Sequence, residues 1–135
     1  MANRKFLSKL DILRASDIKT EDVAVPEWGG WVKVRGMDGL QRDAFEAAAV
    51  ERTAGGVSLR AGFSMRARLV ALCVVDEDGA PIFTEADIQA LAAKSAAALD
   101  RVVTVAQRLS GMAPGAVEDA KANFTEDPAD PSTSD

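Results

Sequence analysis

VPEWGGWVKVRG (residues 25–36), running straight into MDGLQRDAFE (37–46), is the stretch on which the fold turns. It carries both tryptophans of the chain and three of its ten glycines. Valines alternate with polar residues on either side of Pro26-Glu27-Trp28-Gly29-Gly30, and such alternation marks two half-buried strands joined by a turn. Setting Val25 opposite Val32 puts Val23 opposite Val34 on one face, with Asp22 against Arg35 and Ala24 against Lys33 on the other. An apolar face and a charge-paired face emerge together, as a half-buried antiparallel pair requires. Pro26 closes the first strand, where its missing N–H costs little. Gly29 and Gly30 permit the positive φ of a tight return. Asp38, with Gln41 three residues later, then starts a helix through a reciprocal cap.

The rest of the chain is read outward from this hairpin. Upstream, Phe6, Leu7, Leu10, Ile12 and Leu13 form a short apolar stripe that predicts a helix from about Lys5 to Arg14. Downstream, the helix begun at Asp38 is expected to run to about Thr53, with Met37, Leu40, Ala44, Ala47 and Ala48 inward and Phe45 at the edge. Gly55 and Gly56 end it, and residues 55–62 read as a loop that orders only against a partner. Ser64 is the expected cap of a helix from Met65 to about Cys73. Val74, Val75 and Ala80 to Phe83 flank a turn at Asp78-Gly79, a second small hairpin. Thr84 and Asp87 open a helix with Ile88 and Leu91 inward.

Ser95 then starts a longer helix whose stripe is Leu99, Val102, Val103, Ala106 and Leu109, and Gly111 stops it. Pro114 opens a last short helix with Val117, Ala120 and Phe124 on one side. The expected fold class is α+β: antiparallel β-hairpins packed with about five short helices in one domain. That domain covers residues 1–124, and TEDPADPSTSD (125–135) is a disordered acidic tail.

Composition narrows the function. The chain has 135 residues, enough for one domain with its own core. A net charge of −5 argues against a sequence-independent grip on nucleic acid, which needs surplus Lys and Arg to displace counterions. No apolar run approaches the roughly 20 residues of a bilayer span, so no membrane partner is expected. The basic N-terminus lacks the apolar core and cleavage site of a signal peptide. One cysteine, Cys73, excludes an internal disulfide and suits a reducing compartment.

There is no histidine, so Ser-His-Asp, Cys-His and His-metal arrangements are ruled out. Cys73 sits in LVALCVV, the setting of a buried and inert thiol. Asp76, Asp78, Gly79 and Glu85 mimic part of a calcium loop, but Val74 stands at the first ligand position, so a hairpin turn is the better reading. Residues 84–110 allow a DNA-binding regulator with a helix-turn-helix, yet SAAALD is a poor recognition surface. An enzyme with a cofactor or metal is therefore not expected.

The two tryptophans remain. Trp31 continues the Lys33 and Arg35 face of its strand, outside the valine face. It either stacks over a neighbouring cation or anchors a protein interface. Trp28, at the loop tip, either caps the core or joins the same interface. Trp31, Lys33, Arg35 and Trp28 are the candidate partner-binding residues.

VPEWGG at 25–30, VKVRG at 32–36, QRDAFE at 41–46, RLVALCVVDEDG at 68–79, IFTEADI at 82–88 and KSAAALDRV at 94–102 together resemble the tail assembly chaperones of long-tailed bacteriophages. The resemblance covers about residues 25 to 124, most of the chain, and no block is a catalytic signature. Trp31 stands where the family pattern is more variable and often polar. The resemblance implies a non-enzymatic role: binding the tape measure protein, keeping that long helical chain soluble, and recruiting the major tail (tube) protein around it. It also implies action in the host cytoplasm and absence from the finished particle. A surplus of alanine-faced helices adds the expectation of a homo-oligomer. A generic adaptor or regulatory module is the rival reading.

Overall fold

The computed structural model describes residues 4–112. In chain order these form α1 (Lys9–Arg14), β1 (Thr20–Val25), β2 (Gly30–Arg35), α2 (Gly39–Ala49), β3 (Val50–Thr53), β4 (Gly56–Leu59), α3 (Met65–Cys73), β5 (Val74–Val75), α4 (Ile88–Ala92) and α5 (Ala96–Leu109). β1, β2 and β5 make an antiparallel sheet with β2 in the centre, and β3 and β4 make a separate hairpin. The α+β class with antiparallel sheets holds. The helix expected at Pro114 and the acidic tail lie outside the described residues.

The core lies between one face of the sheet and the helices. Val23, Val25 and Val34 project from β1 and β2 against α5, which supplies Leu99, Val102, Val103 and Ala106. α3 packs on α5 and α4 from the far side, with Leu69, Val70 and Cys73 fully enclosed. Removing a side chain of that size from water stabilises the fold by about 1.5–3 kcal/mol each. The expected α5 stripe is the helical face that does this. Ser95 caps α5 through its hydroxyl, which accepts the Ala98 amide at 3.2 Å.

The hairpin register differs from the expected one by two residues. Val23 faces Val32, Asp22 faces Lys33 and Thr20 faces Arg35. The connection is shorter than the alternation suggests: Pro26–Trp28 makes a single 3₁₀ turn that Gly29 closes at φ 78°, its amide donating to the Pro26 carbonyl at 3.0 Å. Because the side-chain period of a strand is two, a two-residue shift keeps every residue on its face and changes only its neighbour. The expected Asp22–Arg35 pair is therefore an Asp22–Lys33 pair, at 2.8 Å.

Three further expectations are corrected. α2 stops at Ala49 rather than near Thr53, and half of the expected 55–62 loop is β4, paired to β3 across Ala54-Gly55. β-branched Val50, Thr53 and Val57 favour strands, and Arg60 rather than a glycine ends the helix. Its guanidinium donates to the Ala48 and Val50 carbonyls at 3.0 and 3.2 Å, and its amide to Ala49 at 2.8 Å. A cation there also opposes the negative end of the helix dipole. Ser64 precedes α3 in a left-handed conformation (φ 58°) and makes no capping bond.

The third correction concerns α2, which buries Phe45 and Ala49, whereas Leu40, Ala44, Ala47 and Ala48 face outward. Phe45 wins the inward position by meeting the Phe63 ring, at 5.3 Å between centroids. By contrast, Asp38 and Gln41 exchange the expected reciprocal bonds at 2.8 and 3.0 Å.

Candidate functional site

The outer face of β2 carries three of the four candidate residues in alternate positions: Trp31, Lys33 and Arg35. Period-two geometry places them together, away from buried Val34. Trp31 is 72% exposed. Its cross-strand neighbour is Ala24, too small to shield an indole. Lys33 is half-buried and holds the Asp22 carboxylate, and Arg35 is half-buried opposite Thr20. Val75 of β5 lies opposite Lys33 on this same face, where the returning chain bridges to it at Pro81. The face thus offers one bare aromatic beside two cations, the composition of an interface anchor.

Trp28 belongs elsewhere. It is half-buried and packs on the core beneath the hairpin loop. Its neighbour Glu27 fastens that loop to α5 through Arg101, at 2.9 Å. The Glu27 carboxyl is held below the usual range, chiefly by a hydrogen bond from its own backbone, with Arg101 adding to it. The structure therefore groups Trp31, Lys33 and Arg35 and separates Trp28 from them.

The end of β2 is clamped by contacts that the sequence did not single out. Gly36 lies so close to α5 that a Cβ would meet the Leu109 carbonyl oxygen at 2.5 Å. Beside it the Met37 amide donates to the Ser110 hydroxyl at 2.9 Å, and Arg42 donates to the Ser110 and Gly111 carbonyls at 3.4 and 3.2 Å. A glycine at a strand end hints at close approach, but only the long-range packing names the partner.

The remaining candidates for chemistry have structural tasks. One Asp76 carboxylate oxygen accepts the Asp78 and Ala80 amides, both at 2.9 Å, and so builds the turn that mimics a calcium loop. Glu85 pairs with Arg68 at 2.9 Å. Burial pushes the Cys73 thiol up to about 12, against a smaller opposing hydrogen bond from Ser110. Such a thiol stays protonated at neutral pH and is a poor nucleophile. On α5, Arg101 and Arg108 are turned onto Glu27 and Glu21 of the hairpin.

A second exposed surface is apolar. Leu40, Ala44 and Ala48 of α2 form one wall of an open groove of about 390 Å³, with Leu72, Phe83 and Ile88 opposite. Arg68 and Glu85 lie at its rim.

No curated protein and no solved structure matches the chain. A family model described as phage tail assembly chaperone matches residues 9–123, a span that takes in the hairpin, the β2 face and both walls of the groove. The chain belongs to the phage tail assembly chaperone family.

Proposed function

We propose that this protein binds the tape measure protein of a long-tailed phage, keeps it soluble, and helps recruit tail tube subunits during tail assembly. The observation that carries this reading is Trp31, 72% exposed on the central strand, with Lys33 and Arg35 following it along the same face. An apolar helical segment with acidic flanks is the complement of that face: the indole supplies contact area, and Lys33 and Arg35 select charge. The protein acts by binding and not by catalysis, in keeping with a chain that lacks histidine and a thiol raised to about 12. DNA binding through residues 84–110 is disfavoured, because the first turn of α5 is Ala96-Ala97-Ala98, with no side chain that hydrogen-bonds a base edge.

The test is co-expression with the tape measure protein. The Trp31→Ala and Arg35→Ala variants are expected to leave the chaperone folded while the tape measure protein precipitates and no longer co-purifies. Undiminished solubility and co-purification would reject this surface. Action in the host cytoplasm predicts the chain in infected-cell lysate and its absence from purified particles, which peptide mass spectrometry reads directly. A tape measure gene immediately downstream separates this role from that of a generic adaptor.

A further inference from the structure

The N-terminal arm is apolar, and nothing among the described residues covers it. Every residue from Arg4 to Asp17 is exposed, Phe6 at 85% and Leu13 at 70%, with Leu7, Leu10 and Ile12 beside them. The arm is nonetheless encoded as a helix. The Ser8 hydroxyl accepts the Asp11 amide at 3.1 Å, and the Asp11 carboxylate accepts the Ser8 amide at 3.0 Å. A helix of six residues is far too short to persist alone in water. Its apolar side chains need a cover.

Charge and position select the cover. Residues 4–19 hold five bases against two acids, and no ion pair among the described residues includes one of them. Residues 113–135 hold the opposite surplus, six acids and one base. The fold roots both segments at one point. The Gly36 amide donates to the Lys19 carbonyl, at the base of the arm, at 3.0 Å. The next amide, that of Met37, donates to the Ser110 hydroxyl at 2.9 Å, and Met112 is buried two residues further on. Only residues 15–18 separate Lys19 from α1, and only Ala113 separates Met112 from Pro114.

We infer that residues 114–127 fold back on the arm of the same chain and cover it. The order of residue types fits an antiparallel pair. Leading away from the shared root, the arm presents Leu13, Leu10 and Phe6, then Lys5 and Arg4. Leading away from the same root, the other segment presents Val117, Ala120 and Phe124, then Glu126 and Asp127. Aliphatic thus meets aliphatic, ring meets ring, and the basic pair meets the acidic pair. Both apolar series advance by three and then four residues, the spacing of one helical face. The shared root favours this occupant over a second copy, because a short tether holds the segment at an effective concentration on the order of millimolar. The family match over residues 9–123 takes in α1 and most of this segment. The inference does not rest on the tape measure reading and uses none of its residues.

The test is amide hydrogen exchange on the full chain, read at Ile12, Leu13 and Arg14. An uncovered helix of this length exchanges at the rate of unstructured chain, and a covered one at least about tenfold more slowly. The parent should show the slow rate. Phe124→Asp should return the arm to the unstructured rate, and Leu13→Asp should quicken the amides of Ala120 and Lys121 in turn. Glu126→Lys with Asp127→Lys keeps the apolar contacts, and should quicken the arm about threefold at low salt and less at high salt. Amides of α5 report on folding and should keep their protection in every variant. Arm amides at the unstructured rate in the parent would overturn the inference. So would slow exchange that is indifferent to these changes in residues 124–127. Protection that fades on dilution from millimolar to micromolar would place the segment on a second copy and overturn it as well.

Discussion

At the scale of single residues, Gly36 and Cys73 show how position outweighs type. Gly36 is required for space: a Cβ there sits 2.5 Å from the Leu109 carbonyl oxygen, and backbone has little room to yield. Gly36→Ala should cost about 1–3 kcal/mol, the usual cost of overpacking, read as a lower urea midpoint. At Gly39, where nothing lies within 4 Å, the same change should cost nothing. Cys73 makes a pH prediction. Its folded pKa, about 12, stands above the ordinary 9.0, so its contribution is whole below pH 9 and is lost as pH rises towards 12. Each unit in that window removes about 1.4 kcal/mol. The chain has no tyrosine to share this range, and a Cys73→Ala control subtracts whatever is common to both proteins. Urea midpoints should therefore fall more steeply between pH 9 and 11 in the parent than in the control. The burial of Cys73 was legible from its apolar run, but its depth was not.

At the scale of elements, local sequence chemistry decides the structure wherever it is self-contained. The Asp38 cap, the α5 stripe and the valine face of the hairpin depend on residues close in sequence, and each formed as expected. Errors came where two local preferences competed. The alanines before Val50 favour helix and the residues after it favour strand, and the boundary fell where Arg60 returns to accept the role of helix cap. Arg60→Ala should therefore loosen α2 and the β3–β4 hairpin together. Amide exchange at Ala49, Val57 and Leu59 should quicken, while amides of α5 keep their protection. The hairpin register went astray by two residues because the expected loop was too long. The 3₁₀ turn at Pro26–Trp28 is stabilised partly by Glu27 reaching Arg101, 74 residues away.

At the scale of the whole molecule, one enclosed core holds sheet and helices together, and surface charge contributes little. Every ion pair among the described residues has at least one partner a quarter or more exposed, and such pairs are worth under about 1 kcal/mol each. Leu69→Ala at the centre should cost about 2–5 kcal/mol, a large part of total stability, in a single calorimetric transition. The α+β class, the family blocks, the two faces of β1–β2 and the outward Trp31 are all written in the order of residues, because period-two and period-3.6 patterns are local and repeat. Long-range packing alone sets Asp22 against Lys33, Trp28 on the core and Gly36 against α5, and leaves α1 and the Leu40 face of α2 exposed among the described residues. Which of two apolar stripes is buried depends on what the fold sets opposite each. Phe45 found Phe63 there, and Leu40 found solvent.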